Sequence, residues 1–373
     1  MKVFLLASLP ESLRNFRGDL IEEFQRRGHD VYVGSPEISG DVDTREWLEQ
    51  RGINWHDVPM ERTGINPLKD LQTFICLLRV FGKVRPDLFL GYTIKPVIWG
   101  LLSASLTRVQ SRAVIITGLG YAFIEGGNRK RFLIRRCAIG LYKLALRKST
   151  VIFFQNPDDQ LDLKKLGLLP IHAKTAVVNG SGVDLAHFHP RPLPTSNMRF
   201  LLVARLLGDK GIREYAAAAE TLSKAWPKAE FHLVGGFDSS PNGIPEKELR
   251  RWVEAGHIKW HGPMKDVRQS LEDCSVYVLP SYREGTPRSV LEALAVGRPI
   301  ITTDAPGCRE TVRDGVNGFL VPVRDPIALA DAMKRFLTNP RLLHPMAEAS
   351  LTIAREKYDV RKVNESILQQ IGV

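Results

Sequence analysis

Glu284 and Glu292 stand eight residues apart in a stretch where Glu284-Gly285-Thr286 reads as a turn and Pro287 opens a helix that closes at Gly297. Proline suits a first helical position, where a missing N–H costs nothing, and Val276 to Leu279 ahead of the turn reads as a short buried strand. The backbone N–H groups of Arg288, Ser289 and Val290 then point from a helix N-terminus toward the strand's carboxyl end, which favours an anion there. Each carboxylate is a bidentate acceptor, so one can hold the hydroxyls of a sugar ring and the other those of a ribose. The same pair in isolation also describes a solvated turn residue and a surface helix residue.

Cations answer these carboxylates from a second strand. Arg199 to Ala204 is an apolar run leading straight into Arg205, with Lys210-Gly211 after a short turn and a helix from Arg213. A planar guanidinium fork and a mobile ammonium at a strand's carboxyl end, with Arg288 opposite, suit a diphosphate. The run Ala229 to Val234 ends in Gly235-Gly236, where backbone without side chains lets a ligand approach closely. Ile258 to Gly262 adds another strand and loop.

The elements that must position these residues alternate. In the first half we read strands at Val3 to Ala7, Val31 to Val33, Leu88 to Leu90 and Ala113 to Thr117, and helices at Phe16 to Arg27, Thr44 to Arg51, Pro67 to Val84 and Pro96 to Leu106. This βαβα pattern implies α/β architecture with a mostly parallel sheet covered on both faces and ligands beyond the strands' carboxyl ends. Three loops fall at that edge: Asn15-Phe16-Arg17, expected to cap a helix and present a cation, Tyr92 to Pro96 with Lys95, and Gly118-Leu119-Gly120. The last is no dinucleotide fingerprint, because Phe123 replaces its third glycine.

The chain has 373 residues, 44% hydrophobic and 25% charged, which implies two domains. No apolar run approaches the roughly 18–20 residues of a membrane span, and the opening Met1 to Pro10 reads as a strand rather than a signal peptide. Cys76, Cys137, Cys274 and Cys308 lack metal or redox spacing and read as reduced core residues of a cytosolic protein. His187 and His189 have no further ligand nearby, so no metal site is expected.

The net charge of +11 is uneven: residues 91–148 carry eleven Lys/Arg against one acid, Glu125. Most of them crowd an amphipathic stretch with Arg129, Lys130, Arg131, Arg135 and Arg136. One reading is a surface lying on anionic lipid; a second is a core helix with a basic solvated face. Nucleic acid is a third, without an aromatic platform to support it.

The run Glu284-Gly285-Thr286-Pro287-Arg288-Ser289-Val290-Leu291-Glu292-Ala293, with Gly297-Arg298-Pro299-Ile300-Ile301-Thr302-Thr303 and Gly315-Val316-Asn317-Gly318-Phe319-Leu320-Val321-Pro322, resembles the donor-site signature of glycosyltransferase family four. The resemblance covers most of the chain, more weakly in the first half. It implies the GT-B fold, two doubly wound Rossmann-like domains facing across a cleft: residues 1–184 for the acceptor, 185–358 for a nucleotide-sugar donor, and 359–373 as a helix packing back on the first domain. By resemblance Arg205 and Lys210 hold the donor's diphosphate as it leaves. The Gly262 loop bonds the base through backbone, and Gly285, Thr286, Arg288, Ser289 and Val290 line the donor with Glu292.

Asn15-Phe16-Arg17 and Gly118-Leu119-Gly120 resemble loops of bacterial members that extend polyprenyl-diphosphate-linked sugars. Where those have alanine-histidine-lysine, this chain has Thr93-Ile94-Lys95, so the histidine's role is not carried over and Lys95 faces either an acceptor phosphate or solvent. The implied reaction is retaining transfer of a hexose or N-acetylhexosamine from a UDP-sugar to a lipid-linked saccharide, without metal or cofactor. The resemblance places it in the cytoplasm, on the inner face of the bacterial plasma membrane. Glu284 is the candidate for positioning the donor ring; no protein nucleophile stands out, leaving front-face departure as the default. A non-lipid acceptor and a catalytically silent binding subunit remain the alternatives.

Overall fold

Short aliphatic runs separated by amphipathic helices build two parallel sheets. The computed structural model describes residues 1–61, 66–118, 129–195 and 197–373, the side chains of 129–135 excepted. Two units divide the chain: Met1–Ser181 with Val363–Val373, and Gly182–Lys362.

The first unit holds β1 (Lys2–Leu6), β2 (Asp30–Ser35), β3 (Asn54–Asp57), β4 (Leu88–Tyr92), β5 (Ser111–Ile116), β6 (Val151–Phe154) and β7 (Lys174–Val177), in the order β3-β2-β1-β4-β5-β6-β7. Every pairing is parallel, with Val3 beside both Val31 and Leu88. Alternation along the strands sorts side chains to two faces. Val3, Leu5, Val33 and Leu90 pack on one, Phe4, Leu6, Phe89 and Val114 on the other. The helices are α1 (Pro10–Arg26), α2 (Val42–Gln50), α3 (Pro67–Val84), α4 (Ile94–Leu106), α5 (Arg129–Leu146) and α6 (Pro157–Lys165).

Three details depart from the sequence reading. α1 begins at Pro10 rather than Phe16, with proline in its first turn, so Asn15, Phe16 and Arg17 lie within a helix and cap nothing. α4 begins at Ile94, which puts Lys95 in its first turn. The polar strand β3 was not expected; it is held by its register with β2, Tyr32 beside Asn54.

The second unit orders β8 (Arg199–Val203), β9 (Glu230–Val234), β10 (Lys259–Trp260), β11 (Val276–Leu279), β12 (Ile300–Thr303) and β13 (Gly318–Val321) as β10-β9-β8-β11-β12-β13, again all parallel. α7 (Ile212–Ala225), α8 (Glu246–Glu254), α9 (Arg268–Asp273), α10 (Arg288–Val296), α11 (Pro326–Thr338) and α12 (Leu343–Ile353) complete it. Residues Pro340 to Tyr358 form a 3-10 turn, α12 and a π-helical turn, Ala354–Tyr358.

Arg298, 0% exposed, spends all five of its donors on backbone carbonyls. Nε serves Leu271 at 2.9 Å, Nη1 serves Arg191 at 3.0 Å and Gly297 at 3.3 Å, and Nη2 serves Pro192 and Glu272 at 2.9 Å each. After Asp359 bridges to Val183, α13 (Val360–Ile371) carries the chain back. Its Val363, Ile367 and Leu368 are buried in the first unit's core, and Arg27 donates to the Val373 carbonyl at 3.0 Å and pairs with Glu365. Of the four cysteines expected in the core, Cys274 and Cys308 are buried, Cys76 is half-buried and Cys137 is exposed.

Candidate active site

Each sheet reverses its strand order once, at β1/β4 in the first unit and at β8/β11 in the second. Such a reversal opens a crevice past the carboxyl ends of the two strands. In the second unit Arg205 follows β8 and Glu284 follows β11, so the topology alone delivers both to one crevice.

Backbone contacts fix the two segments against each other. Tyr282 N–H donates to the Asp209 carbonyl at 2.8 Å. Gly211, at φ +72°, lies so close to Pro280 that a Cβ would sit 2.1 Å from its carbonyl oxygen. Glu284 N–H donates to the Pro306 carbonyl at 2.9 Å, and Gly307, at φ +81°, approaches the Glu284 carbonyl to within 2.2 Å of where its Cβ would be. Only glycine fits these two left-handed, crowded positions.

On this frame the expected charges meet in pairs. Lys210 Nζ donates to Glu284 Oε1 at 2.5 Å, and the buried Ser281 hydroxyl lies 2.8 Å from the same oxygen. Ser281 also has the Asp209 carbonyl at 3.1 Å; with one proton to give, the hydroxyl favours the charged and nearer carboxylate. Burial works against the Lys210 ammonium, but the charge and hydrogen bond of Glu284, with Asp209 beyond, outweigh it and hold its pKa above the usual value. Arg288 Nε donates to Glu292 Oε1 at 2.9 Å; burial raises the Glu292 pKa, and Arg288 only partly offsets that. Arg205 turns to Asp238, Nη1 to Oδ2 at 2.5 Å, while Ser240 N–H holds the other Asp238 oxygen at 2.9 Å.

The turn between β11 and α10 carries Gly285, buried, and Thr286, half-buried; Ser289 on the helix is half-buried as well. The helix opens one residue later than expected: Pro287 is its cap and Arg288 its first residue. Val290 N–H is satisfied by the Pro287 carbonyl at 3.0 Å, so it is not the outward donor expected from sequence. Gly262, at φ +72°, gives its carbonyl to Gly235 N–H at 2.9 Å, and Trp260 Nε1 donates to the Gly235 carbonyl at 2.9 Å. The β9 and β10 loops are thereby locked together.

At the first unit's crevice, Thr93 caps α4 at φ +68°, a strained conformation for a β-branched residue, and bonds Ser8 at 3.0 Å. Lys95 pairs with Asp70 at 2.7 Å, the two side chains 14% and 15% exposed. Asn15 and Phe16 are exposed. Arg17, 2% exposed, is not a presented cation: its guanidinium lies over the Tyr92 ring, 5.2 Å from the centroid. Gly118 follows β5 at φ +121°. Gly120 and the side chains of Arg129, Lys130, Arg131 and Arg135 lie outside the described residues, and Arg136 is exposed. Among the described residues no group of three or more metal-ligating side chains occurs.

Two residues escaped the sequence reading. Asp238 had a signal, an acid just behind the Gly235-Gly236 strand end, and Ser281 another, a hydroxyl directly behind Pro280 at the end of β11.

Residues 197–339 match the family model described as Glycosyl transferases group 1, and residues 2–156 the one described as Glycosyl transferase 4-like. A Campylobacter jejuni protein, N,N'-diacetylbacillosaminyl-diphospho-undecaprenol alpha-1,3-N-acetylgalactosaminyltransferase, is 27% identical over 383 residues, spanning 99% of this chain and 96% of its own. The Escherichia coli UDP-Gal:alpha-D-GlcNAc-diphosphoundecaprenol alpha-1,3-galactosyltransferase is 27% identical over 78% of this chain and 76% of its own. Among solved structures, sucrose-phosphate synthase of Thermosynechococcus elongatus superposes with a TM-score of 0.80 at 18% identity, covering 99% of this chain and 98% of that one. Anabaena HepE in complex with UDP-glucose gives 0.78 at 20% identity, covering 100% and 99%.

Proposed function

The chain belongs to the family-four glycosyltransferases of GT-B fold, and from that premise we propose that it moves a hexose or N-acetylhexosamine from a UDP-sugar to a polyprenyl-diphosphate-linked saccharide, with retention at the anomeric carbon. Relatives that act on undecaprenol-diphosphate sugars support the acceptor class. The observation that carries the reading is the Lys210–Glu284 pair at the β8/β11 crevice, with Arg205 beside it on the same strand end. Lys210 and Arg205 neutralise the departing diphosphate from fixed positions, the role a divalent metal has in other transferases. Glu284 orients the donor ring and Glu292 the ribose. At the membrane, exposed Arg136 and its basic neighbours on α5 meet anionic headgroups.

In this scheme Lys210 exchanges Glu284 for phosphate as donor binds, and Ser281 keeps hold of the carboxylate. Ser281→Ala is therefore expected to lower kcat about tenfold, the worth of one hydrogen bond to a charged group, with UDP affinity unchanged. Equal kcat in the two proteins would remove Ser281 from the mechanism.

The proposal as a whole is tested by following UDP release from a panel of nucleotide sugars with a lipid-diphosphate-sugar acceptor, with and without EDTA. Release with a UDP-sugar that survives chelation and needs the acceptor is expected. Release abolished by EDTA, or none with any UDP-sugar, would overturn it.

A further inference from the structure

The inward side of α3 is accounted for by Thr73, Leu77, Phe81 and Val84, all buried in the first unit. Its outward side exposes Leu68 at 73%, Leu71 at 50% and Ile75 at 39%. Spacings of three and four residues stack these on one stripe. Farther along the same side Arg79 and Lys83 are exposed, so the stripe passes from apolar to cationic. A single exposed leucine needs no explanation, whereas three in register on one helix do.

The neighbouring helices repeat the pattern. α4 packs between α3 and α5 in one layer. α5 exposes Leu141 at 37% and Leu144 at 47%, flanked by exposed Arg136, with Arg147 and Lys148 just past its end. α5 holds no acid, and on and beside α3 Asp70 pairs with Lys95 and Glu61 with Lys69.

The stripe also starts in a telling place. α3 follows β3, so Leu68 in its first turn stands at the carboxyl edge of the sheet, the edge where Lys95 and Gly118 lie. Asp70 of that same turn holds the Lys95 ammonium.

We propose that Leu68, Leu71 and Ile75 insert among the acyl chains of an anionic membrane leaflet, with Arg79, Lys83, Arg136, Arg147 and Lys148 in its headgroups. α3 is then the apolar anchor of a surface to which α5 contributes charge. This rests on the reading of a lipid-linked acceptor: a carrier whose tail stays in the leaflet beside α3 brings its diphosphate to the edge that bears Lys95.

The test is vesicle flotation of the full chain and of a Leu68→Gln, Leu71→Gln, Ile75→Gln variant, with phosphatidylglycerol-containing and with purely zwitterionic vesicles. The exposed positions make folding of the variant straightforward to confirm by its thermal transition. The wild-type chain is expected on anionic vesicles, less so at high salt, and the variant to lose at least about tenfold of that binding. Its kcat/KM falls similarly with a long-chain acceptor in vesicles and stays unchanged with a short-chain soluble one. A variant that floats like wild type overturns the proposal, as does a wild-type dimer that the variant abolishes, which would give the stripe to a second copy. Absence of transfer by the wild type to either acceptor would sink the functional reading, while flotation, which needs no acceptor, still decides the stripe.

Discussion

Glu284→Gln is expected to lower turnover about 10²–10³-fold, the loss seen when one preorganised polar group is removed from a transition state, while UDP binds within about threefold of wild type. Glutamine preserves the shape and the contact with Ser281 but not the charge that faces Lys210 at 2.5 Å. The binding cations stay in place, so affinity for the leaving group survives while orientation of the ring does not. The same change has a signature in pH. Burial lowers the Lys210 pKa and Glu284 is the main influence that raises it past the usual value. Without that carboxylate, burial prevails and the ammonium loses its proton at lower pH. The alkaline limb of UDP binding should therefore move down in the variant, by calorimetric titration across pH. An unmoved limb, or turnover within tenfold of wild type, would remove Glu284 from the role given to it.

Arg298→Met is the second large effect, and it is structural. Methionine fills much of the volume but leaves the carbonyls of Leu271, Arg191, Gly297, Pro192 and Glu272 without the donors they have now. Removing one partner from a buried, charge-assisted set costs roughly 3–5 kcal/mol, a large share of the 5–15 kcal/mol that holds a domain together. Two of those carbonyls belong to Arg191 and Pro192 on the segment ahead of β8, so the guanidinium fastens that segment to α10. Urea unfolding followed by intrinsic fluorescence should show the midpoint fall sharply, and an unchanged midpoint would show that solvent or a neighbour replaces the arginine. Catalysis by the folded fraction should remain near normal.

Arg298 also shows what the sequence could and could not tell. It sits in the same signature as Glu284 and Glu292, yet it touches none of the site's charges; a motif read from spacing mixes the chemistry with the scaffold under it. The placement of Arg205 and Lys210 between β8 and α7, and of Glu284 and Glu292 in the turn and helix after β11, was legible because the apolar runs of those strands are unmistakable. Their partners were not, because Asp238 reaches Arg205 across thirty-three residues, a distance no periodicity encodes. The doubly wound topology was legible in the alternation of Val3, Leu5 and Leu88, Leu90 with amphipathic helices. β3 was hidden because Asn54-Trp55-His56-Asp57 has the composition of a loop and pairs only through β2. α1 was misplaced because Asn15 reads as a cap, although Pro10 offered the better first position.

The return of residues 363–373 to the first unit has a consequence for how the protein is made. Val363, Ile367 and Leu368 complete a core whose other members, Val3, Leu20 and Phe24 among them, are synthesised first. On a ribosome adding roughly 5–20 residues per second, the whole second unit, Gly182–Lys362, must pass before that core can close. For about 10–40 s the nascent first unit carries an unfilled apolar face, open to whatever binds incomplete chains. Completion of the first unit thus waits on α13, made only after the whole second unit.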